Sequence, residues 1–102
     1  MNDERVLDYL KVNCLGRSNI RKSRTIENAL HMSGNELRRH IARLRKKQEP
    51  IASSNDGYFY ADNPGEVYDT IRQLERMKRG LECSIDGLVG SLRNHPFGGD
   101  AS

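Results

Sequence analysis

The stretch that decides the fold of this chain runs Ser33-Gly-Asn-Glu-Leu-Arg-Arg-His-Ile-Ala-Arg-Leu-Arg-Lys-Lys47. Ser33 and Glu36 have the spacing of a capping box. In that motif the serine oxygen accepts the Glu36 N–H, and the Glu36 carboxylate accepts the Ser33 N–H. The sequence therefore predicts a helix that begins at Gly34.

The predicted helix has two unlike faces. Leu37, Ile41 and Leu44 recur at i, i+4 and i+7, so they form one apolar stripe for a core. Solvated faces usually mix charges of both signs to gain i,i+4 pairs, whereas six of the ten residues 38–47 are Arg or Lys. This excess favours contact with a polyanion. The opposite face and its flank carry Asn35, Arg38, Arg39, Ala42, Arg43, Arg45 and Lys46.

The composition indicates one small domain with an appendage. The chain has 102 residues, of which 35% are hydrophobic, so its core is modest. The net charge of +3 is unevenly distributed: residues 1–50 hold 12 basic and 6 acidic side chains, and residues 51–102 hold 5 and 8. This polarity predicts an N-terminal nucleic-acid surface and a different role for the C-terminal half.

Few residues in this chain suggest chemistry at a catalytic or metal site. Cys14 and Cys83 lack metal-ligand spacing, so we expect free thiols in a reducing, cytoplasmic interior. No apolar run approaches the length that crosses a membrane. His31, His40 and His95 are scattered, and His40 fits a phosphate-side or core-edge position better than a ligand position. We therefore expect no enzyme, metal, cofactor or small-molecule substrate.

Two shorter helices are predicted before Ser33. Apolar residues at helical spacing predict a first helix over residues 3–14. A polar loop with four cations and no acid follows, and a second helix begins at Ser23 or Arg24 and ends near Leu30. Residues 31–32 then turn the chain into the Ser33 cap. Two helices joined by such a short turn, the second one basic and amphipathic, form a helix-turn-helix.

A β-hairpin is predicted after Pro50, which stops the third helix. Two short strands flank Asn55-Asp56-Gly57, a sequence typical of a type I turn with Gly57 in the left-handed region and a bulge. Pairing Ser54 with Gly57 sets the register of the two strands. A hairpin directly after a recognition helix is the wing of a winged helix.

The hairpin register predicts which side chains face the core. It places Ile51 across from Tyr60 and Ser53 across from Tyr58. We expect Ile51 and Tyr60 to cover the core. We expect Phe59 to face away from the core, with Ala52 opposite it.

Residues from about Val6 to Asp62 resemble the winged helix-turn-helix domains of the biotin-repressor-like and DeoR-like type. With the long helix that follows, the chain is most similar to small winged-helix proteins of phage and prophage genomes. The resemblance implies a DNA-binding fold, although winged helices also serve as protein-contact modules. The matching residues are Ile26-Glu-Asn-Ala-Leu-His-Met-Ser33, then Leu37, Ile41 and Leu44, then Pro50-Ile-Ala-Ser and Gly57-Tyr58.

The chain departs from that family in two places. His31 stands where the family usually has a turn glycine, and histidine tolerates the left-handed region better than most residues. No Lys or Arg lies between Lys47 and Arg72, so the wing lacks a basic tip. We expect the wing to touch phosphate weakly, through residues 53–55, or not at all.

The C-terminal part predicts a long helix with a heptad repeat. Asn63 is the expected N-cap, Pro64 the first helical residue and Glu66 the N3 residue. Gly80, Gly87 and Gly90 leave two alternatives open, a break of the helix at Gly80 and a helix that folds back on its own domain. The three glycines lie outside the a and d positions, the seam of a coiled coil, and this favours a continuous helix and a homodimer. The a and d positions are Val67, Ile71, Leu74, Lys78, Leu81, Ile85, Leu88 and Leu92.

The sequence thus predicts a mainly α fold with a β-hairpin wing: a winged helix-turn-helix (1–62), a long dimerisation helix (63–93) and a disordered tail (94–102). The leading hypothesis is a dimeric protein that binds double-stranded DNA, with a role in transcription or in phage DNA transactions. The alternative is an adaptor that binds a protein through the wing, an exposed Phe59 and the long helix. Structured RNA is a third candidate partner.

The DNA hypothesis assigns a role to each cation and to one amide. The predicted helix enters the major groove with its N-terminal residues nearest the bases. Arg39 is the first choice for guanine and Asn35 for adenine. The expected base-contacting residues are Asn35, Arg38, Arg39 and Arg43. The expected phosphate-contacting residues are Arg17, Arg21, Lys22, Arg24, Arg45, Lys46 and Lys47.

Overall fold

The computed structural model describes residues 2–95. The described chain is mainly helical, with a two-stranded antiparallel hairpin and a long C-terminal helix. Most of the predicted tail, residues 96–102, lies outside the described residues. The elements are α1 (Asn2–Asn13), a short 3-10 helix (Arg17–Asn19), α2 (Ser23–Leu30), α3 (Gly34–Lys46), β1 (Ile51–Ser54), β2 (Gly57–Tyr60) and α4 (Pro64–Asn94).

The capping box at the start of α3 is confirmed. The Glu36 N–H donates to Ser33 Oγ at 3.2 Å, and Glu36 Oε1 accepts the Ser33 N–H at 2.9 Å. These two hydrogen bonds lower the pKa of Glu36, because both favour its ionised form. Leu37, Ile41 and Leu44 are all buried, so the predicted apolar stripe faces the core.

α3 ends at Lys46, before the predicted stop at Pro50. The Glu49 N–H donates to the Leu44 carbonyl and the Gln48 N–H to the Arg45 carbonyl, the paired bonds of a Schellman motif. Gln48 has a φ of 72°, the left-handed conformation this motif requires and glycine usually supplies. In the turn from α2 into α3, His31 adopts the left-handed conformation, with φ 55° and ψ 50°.

The hydrophobic core lies between α1, α2, α3 and the hairpin. Cys14 and Phe59 belong to this core, and Cys14 is fully buried. Its burial raises the pKa of the thiol. Cys83, by contrast, is exposed on α4. The buried cluster comprises Val6, Leu10, Cys14, Ile26, Leu30, Leu37, Ile41, Leu44, Ile51, Ala52, Phe59 and Ala61.

The hairpin has the predicted register, but one of its predicted faces is wrong. Ile51 pairs with Tyr60 and Ala52 pairs with Phe59. Phe59, expected to face away from the core, is only 1% exposed and is among the largest fully buried side chains. Ile51 and Ala52 are neighbours that point to opposite faces of the strand, yet both are buried, so both faces of the hairpin are covered.

The outer edge of β2 is paired with the segment between α1 and α2. The Gly16 N–H donates to the Tyr60 carbonyl at 2.8 Å, and the Tyr58 N–H donates to the Arg21 carbonyl at 2.9 Å. Gly57 lies so close to this segment that an added Cβ would sit 1.9 Å from the Arg21 carbonyl oxygen. Its φ of 134° also favours glycine. The close approach therefore requires glycine at this turn.

α4 is one helix from Pro64 to Asn94, without a break at Gly80. Its predicted N-cap is confirmed, because Asn63 Oδ1 accepts the Glu66 N–H at 3.0 Å. The chain divides into two compact units, residues 1–71 and 72–102, so the first unit includes the opening turns of α4. Within residues 2–95 every helix is too short or too polar to cross a lipid bilayer.

Candidate nucleic-acid interface

The N-terminal half of the outer face of α3 is open to solvent. Asn35, Arg38 and Arg39 are all exposed. Asn35 Oδ1 accepts a hydrogen bond from Arg38 Nη2, so the amide orients the neighbouring guanidinium. Arg39 forms no hydrogen bond or ion pair within the described residues, although its charge adds to the lowering of the Glu36 pKa by Ser33. These side chains can meet a ligand without breaking an ion pair.

Arg43 is held by a carboxylate of α1. Its Nε and Nη2 donate to Asp3 at distances of 3.0 to 3.2 Å, and its side chain stays about half exposed. Lys47 Nζ lies 3.9 Å from Asp3 Oδ2. Two of the predicted DNA-contacting cations therefore share one acid from the same chain.

Asp3 links α1 to the cationic face of α3, a contact that the sequence does not predict. His40 Nδ1 contacts Asp3 Oδ1, and Arg43 Nη2 lies 2.8 Å from the same imidazole nitrogen. His40 is buried, which fits a core-edge position. The hydrogen bonds from Arg43 and then His40 lower the pKa of Asp3 to about 2. Sequence spacing cannot connect residues 3 and 43, because the contact arises only when α1 packs on α3.

Arg45 connects α3 to the hairpin through two hydrogen bonds. Its Nε donates to the Ile51 carbonyl at 2.9 Å, and its Nη2 donates to Ser53 Oγ at 3.1 Å. The side chain is partly buried, and this burial lowers the pKa of the guanidinium. The sequence places Arg45 on the flank of the cationic face, and the structure gives it internal hydrogen bonds there.

Two cations of the loop before α2 are also engaged within the first unit. Arg17 Nη2 donates to Asp69 at 2.7 Å, and its backbone N–H donates to Glu66 at 3.0 Å. Arg21 Nη1 donates to the Tyr9 hydroxyl at 3.1 Å. These arginines tie the loop to α4 and α1. Both side chains nevertheless remain exposed.

The remaining cations of the predicted interface are uncompensated. Lys46 near the end of α3, and Lys22 and Arg24 at the start of α2, are exposed, and their side chains form no hydrogen bond or ion pair within residues 2–95. We define the free cation set as the predicted cationic contacts whose side chains form no ion pair and no hydrogen bond to another element of the fold within residues 2–95. It consists of Arg38, Arg39, Lys46, Lys22 and Arg24.

The predicted dimer residues form an exposed apolar stripe on α4. Val67 packs partly against the core of the first unit. Further along, Leu81, Leu88 and Leu92 are 65%, 68% and 73% exposed. A contiguous row of exposed apolar side chains is typical of an interaction surface. The stripe also includes Ile71, Leu74, Lys78 and Ile85, with Met77 and Val89 beside it.

Other kinds of site find little support in the described residues. Residues 2–95 contain no group of three or more His, Cys, Asp or Glu side chains that could hold a metal ion. Comparison with models of known families, with curated proteins and with solved structures finds no match to this chain.

Proposed function

We propose that residues 1–71 form a winged-helix module that binds double-stranded DNA, with α3 in the major groove. The order of three helices and then an antiparallel hairpin supports this assignment. The two hydrogen bonds between Arg21 and Tyr58 support it further, because they add a third strand-like segment to the hairpin. In this module α3 is the recognition helix and the hairpin is the wing.

The observation that carries the proposal is the free cation set. A solvated protein surface gains little from like charges that repel one another, whereas a phosphate backbone neutralises them and releases counterions. Arg38, Arg39 and Lys46 lie on α3 without an acid in contact. The paired acids elsewhere in the unit, such as Asp3 and Asp69, leave this part of the surface positive.

The proposed roles follow from position and from internal contacts. Arg39 and Asn35, near the N-terminus of α3, contact guanine and adenine edges. Arg38, oriented by Asn35, contacts a base or a phosphate. The other members of the free cation set contact phosphates and set the register. Arg43 and Lys47 share their charge with Asp3, so we assign them a smaller part of the binding.

The proposal includes a homodimer, in which the exposed stripe on α4 pairs two copies of the chain. A dimer of recognition helices fits a paired DNA site, with half-sites separated by about 10 bp or a multiple of it. Such a protein acts as a transcriptional regulator or as a factor in phage DNA transactions.

The test is duplex binding across a salt series with two single variants. Arg39→Ala is expected to cost about 1–3 kcal/mol and to relax the preference at one base pair. Lys46→Ala is expected to weaken binding to duplexes of every sequence alike. It should also reduce the slope of log affinity against log salt concentration by about one unit. Arg76→Ala removes an equal charge from α4 and should leave binding unchanged. The proposal fails if Arg39→Ala and Lys46→Ala both bind random duplex as tightly as the wild type.

The adaptor hypothesis keeps only part of its support. It depended on an exposed Phe59 beside the wing, and this side chain is buried. The exposed α4 stripe still favours a protein partner. The absence of any duplex shift at about 50 mM salt would favour the adaptor, and a preference for structured RNA in the same assay would favour the third candidate.

A further inference from the structure

An apolar groove opens at the start of α4, within residues 1–71. Its volume is about 540 Å³. Val67 and Ile71 line this groove and are also heptad positions of α4. Tyr68 and Ile71 are exposed there. The apolar lining consists of Pro50, Ala61, Pro64, Val67, Tyr68 and Ile71.

We propose that two copies of α4 pair antiparallel, and that the C-terminal end of each helix fills the groove of the other copy. The inference rests on the homodimer of the proposed function and adds its direction. Reversing one helix sets a positions opposite d positions, and a single register then pairs all eight heptad residues. The pairs are Val67 with the partner's Leu92, Ile71 with the partner's Leu88, Leu74 with the partner's Ile85, and Lys78 with the partner's Leu81.

Lys78 distinguishes the two directions by charge. In a parallel pair Lys78 faces the partner's Lys78 across the seam. None of the residues that precede an a position, the g positions, is an acid that could neutralise this charge. In the antiparallel register it lies against the partner's Leu81 and beside the partner's Glu82, which offers an opposite charge. That register also sets Glu75 across from the partner's Glu82. Two cations on each helix, Lys78 and Arg79, offset this repulsion.

The groove argues for the same direction. In the antiparallel register, the partner's Leu88 and Leu92 reach Ile71 and Val67, two of the α4 residues that line the groove. The helix dipoles of the pair also oppose one another. The two Val67 residues lie about 37 Å apart along the seam, at 1.5 Å per residue. The N-terminal ends of the two paired helices therefore lie at opposite ends of the seam.

Disulfide crosslinking of the full chain tests the direction. Cys83→Ser removes the exposed thiol, while Cys14 is fully buried. In this background Ile71→Cys and Leu88→Cys are made as separate variants and oxidised alone or after mixing and equilibration. The antiparallel pair predicts a crosslinked dimer in the mixture and the loss of that product when either variant is oxidised alone.

Two results would overturn the inference. Crosslinking of each variant with itself would show a parallel seam, and no crosslink with a monomeric mass in solution would show no seam. Duplex binding of the same reduced samples is measured in parallel. Duplex binding that persists after either of these results leaves the DNA-binding proposal intact. A crosslink that forms only in the mixture, in a protein that does not bind duplex, contradicts the DNA-binding proposal and supports the antiparallel pair.

Discussion

At the scale of single residues, Asp3 organises one end of the cationic face. Its carboxylate accepts hydrogen bonds from Arg43 and contacts His40, and Lys47 lies nearby. These contacts hold the pKa of Asp3 at about 2, below its ordinary value of 3.8. Because the folded-state pKa is depressed, the ionised carboxylate contributes stability above about pH 4, and that contribution is lost as the pH falls toward 2.

Asp3→Asn tests this contribution. The variant is expected to lose about 1–2 kcal/mol of unfolding free energy at neutral pH, since it removes a charged hydrogen-bond acceptor. Its stability should then vary less than that of the wild type between about pH 4 and 2. Urea unfolding followed by circular dichroism measures both effects, and Asp8→Asn on the same helix is the control. An unchanged pH dependence in Asp3→Asn would contradict the assignment.

Gln48 carries local backbone strain at the end of α3. A non-glycine residue in the left-handed region costs about 1 kcal/mol, and the Schellman motif requires that conformation here. Gln48→Gly is therefore expected to raise the unfolding free energy by about 0.5–1 kcal/mol. Gln48→Ala, which keeps the strain, should give no gain. Thermal unfolding compares the two, and equal stabilities would remove the strain argument.

At the scale of elements, the sequence predicts what local chemistry determines. The capping box at Ser33, the left-handed His31 and the hairpin register all follow from residues a few positions apart. The burial of Phe59 and the contact of Asp3 with Arg43 depend on elements far apart in sequence. Strand alternation shows which residues share a face, but it does not show that both faces of the hairpin are covered.

The two glycines Gly57 and Gly80 give opposite predictions for the same substitution. Gly57→Ala is expected to cost more than about 3 kcal/mol, because its Cβ would meet the Arg21 carbonyl oxygen and its φ is positive. A Cβ at Gly80 meets nothing within 4 Å, so Gly80→Ala should stabilise α4 by up to about 1 kcal/mol. Urea unfolding of both variants measures the contrast. A similar effect of both would contradict the proposed close approach at Gly57.

At the scale of the whole molecule, internal acids divide the predicted DNA contacts into two groups. The sequence predicts a cationic face on α3, but it does not predict that Asp3 engages Arg43 or that the hairpin engages Arg45. Arg38, Arg39 and Lys46, which are exposed on that face, form no ion pair within residues 2–95. The proposed DNA affinity therefore depends on fewer side chains than charge counting suggests, and the role proposed for α4 is pairing with a second copy of the chain.

The most direct test is the salt dependence of random-duplex binding by the full chain and two matched triple variants. One replaces Arg38, Arg39 and Lys46 with alanine, and the other replaces Arg72, Arg76 and Arg93 on α4 with alanine. We predict that the wild type binds duplex, that the α3 variant loses about two to three units of salt slope, and that the α4 variant keeps the wild-type slope. A wild-type protein that does not bind duplex at low salt, or equal losses in both variants, would contradict the proposed interface.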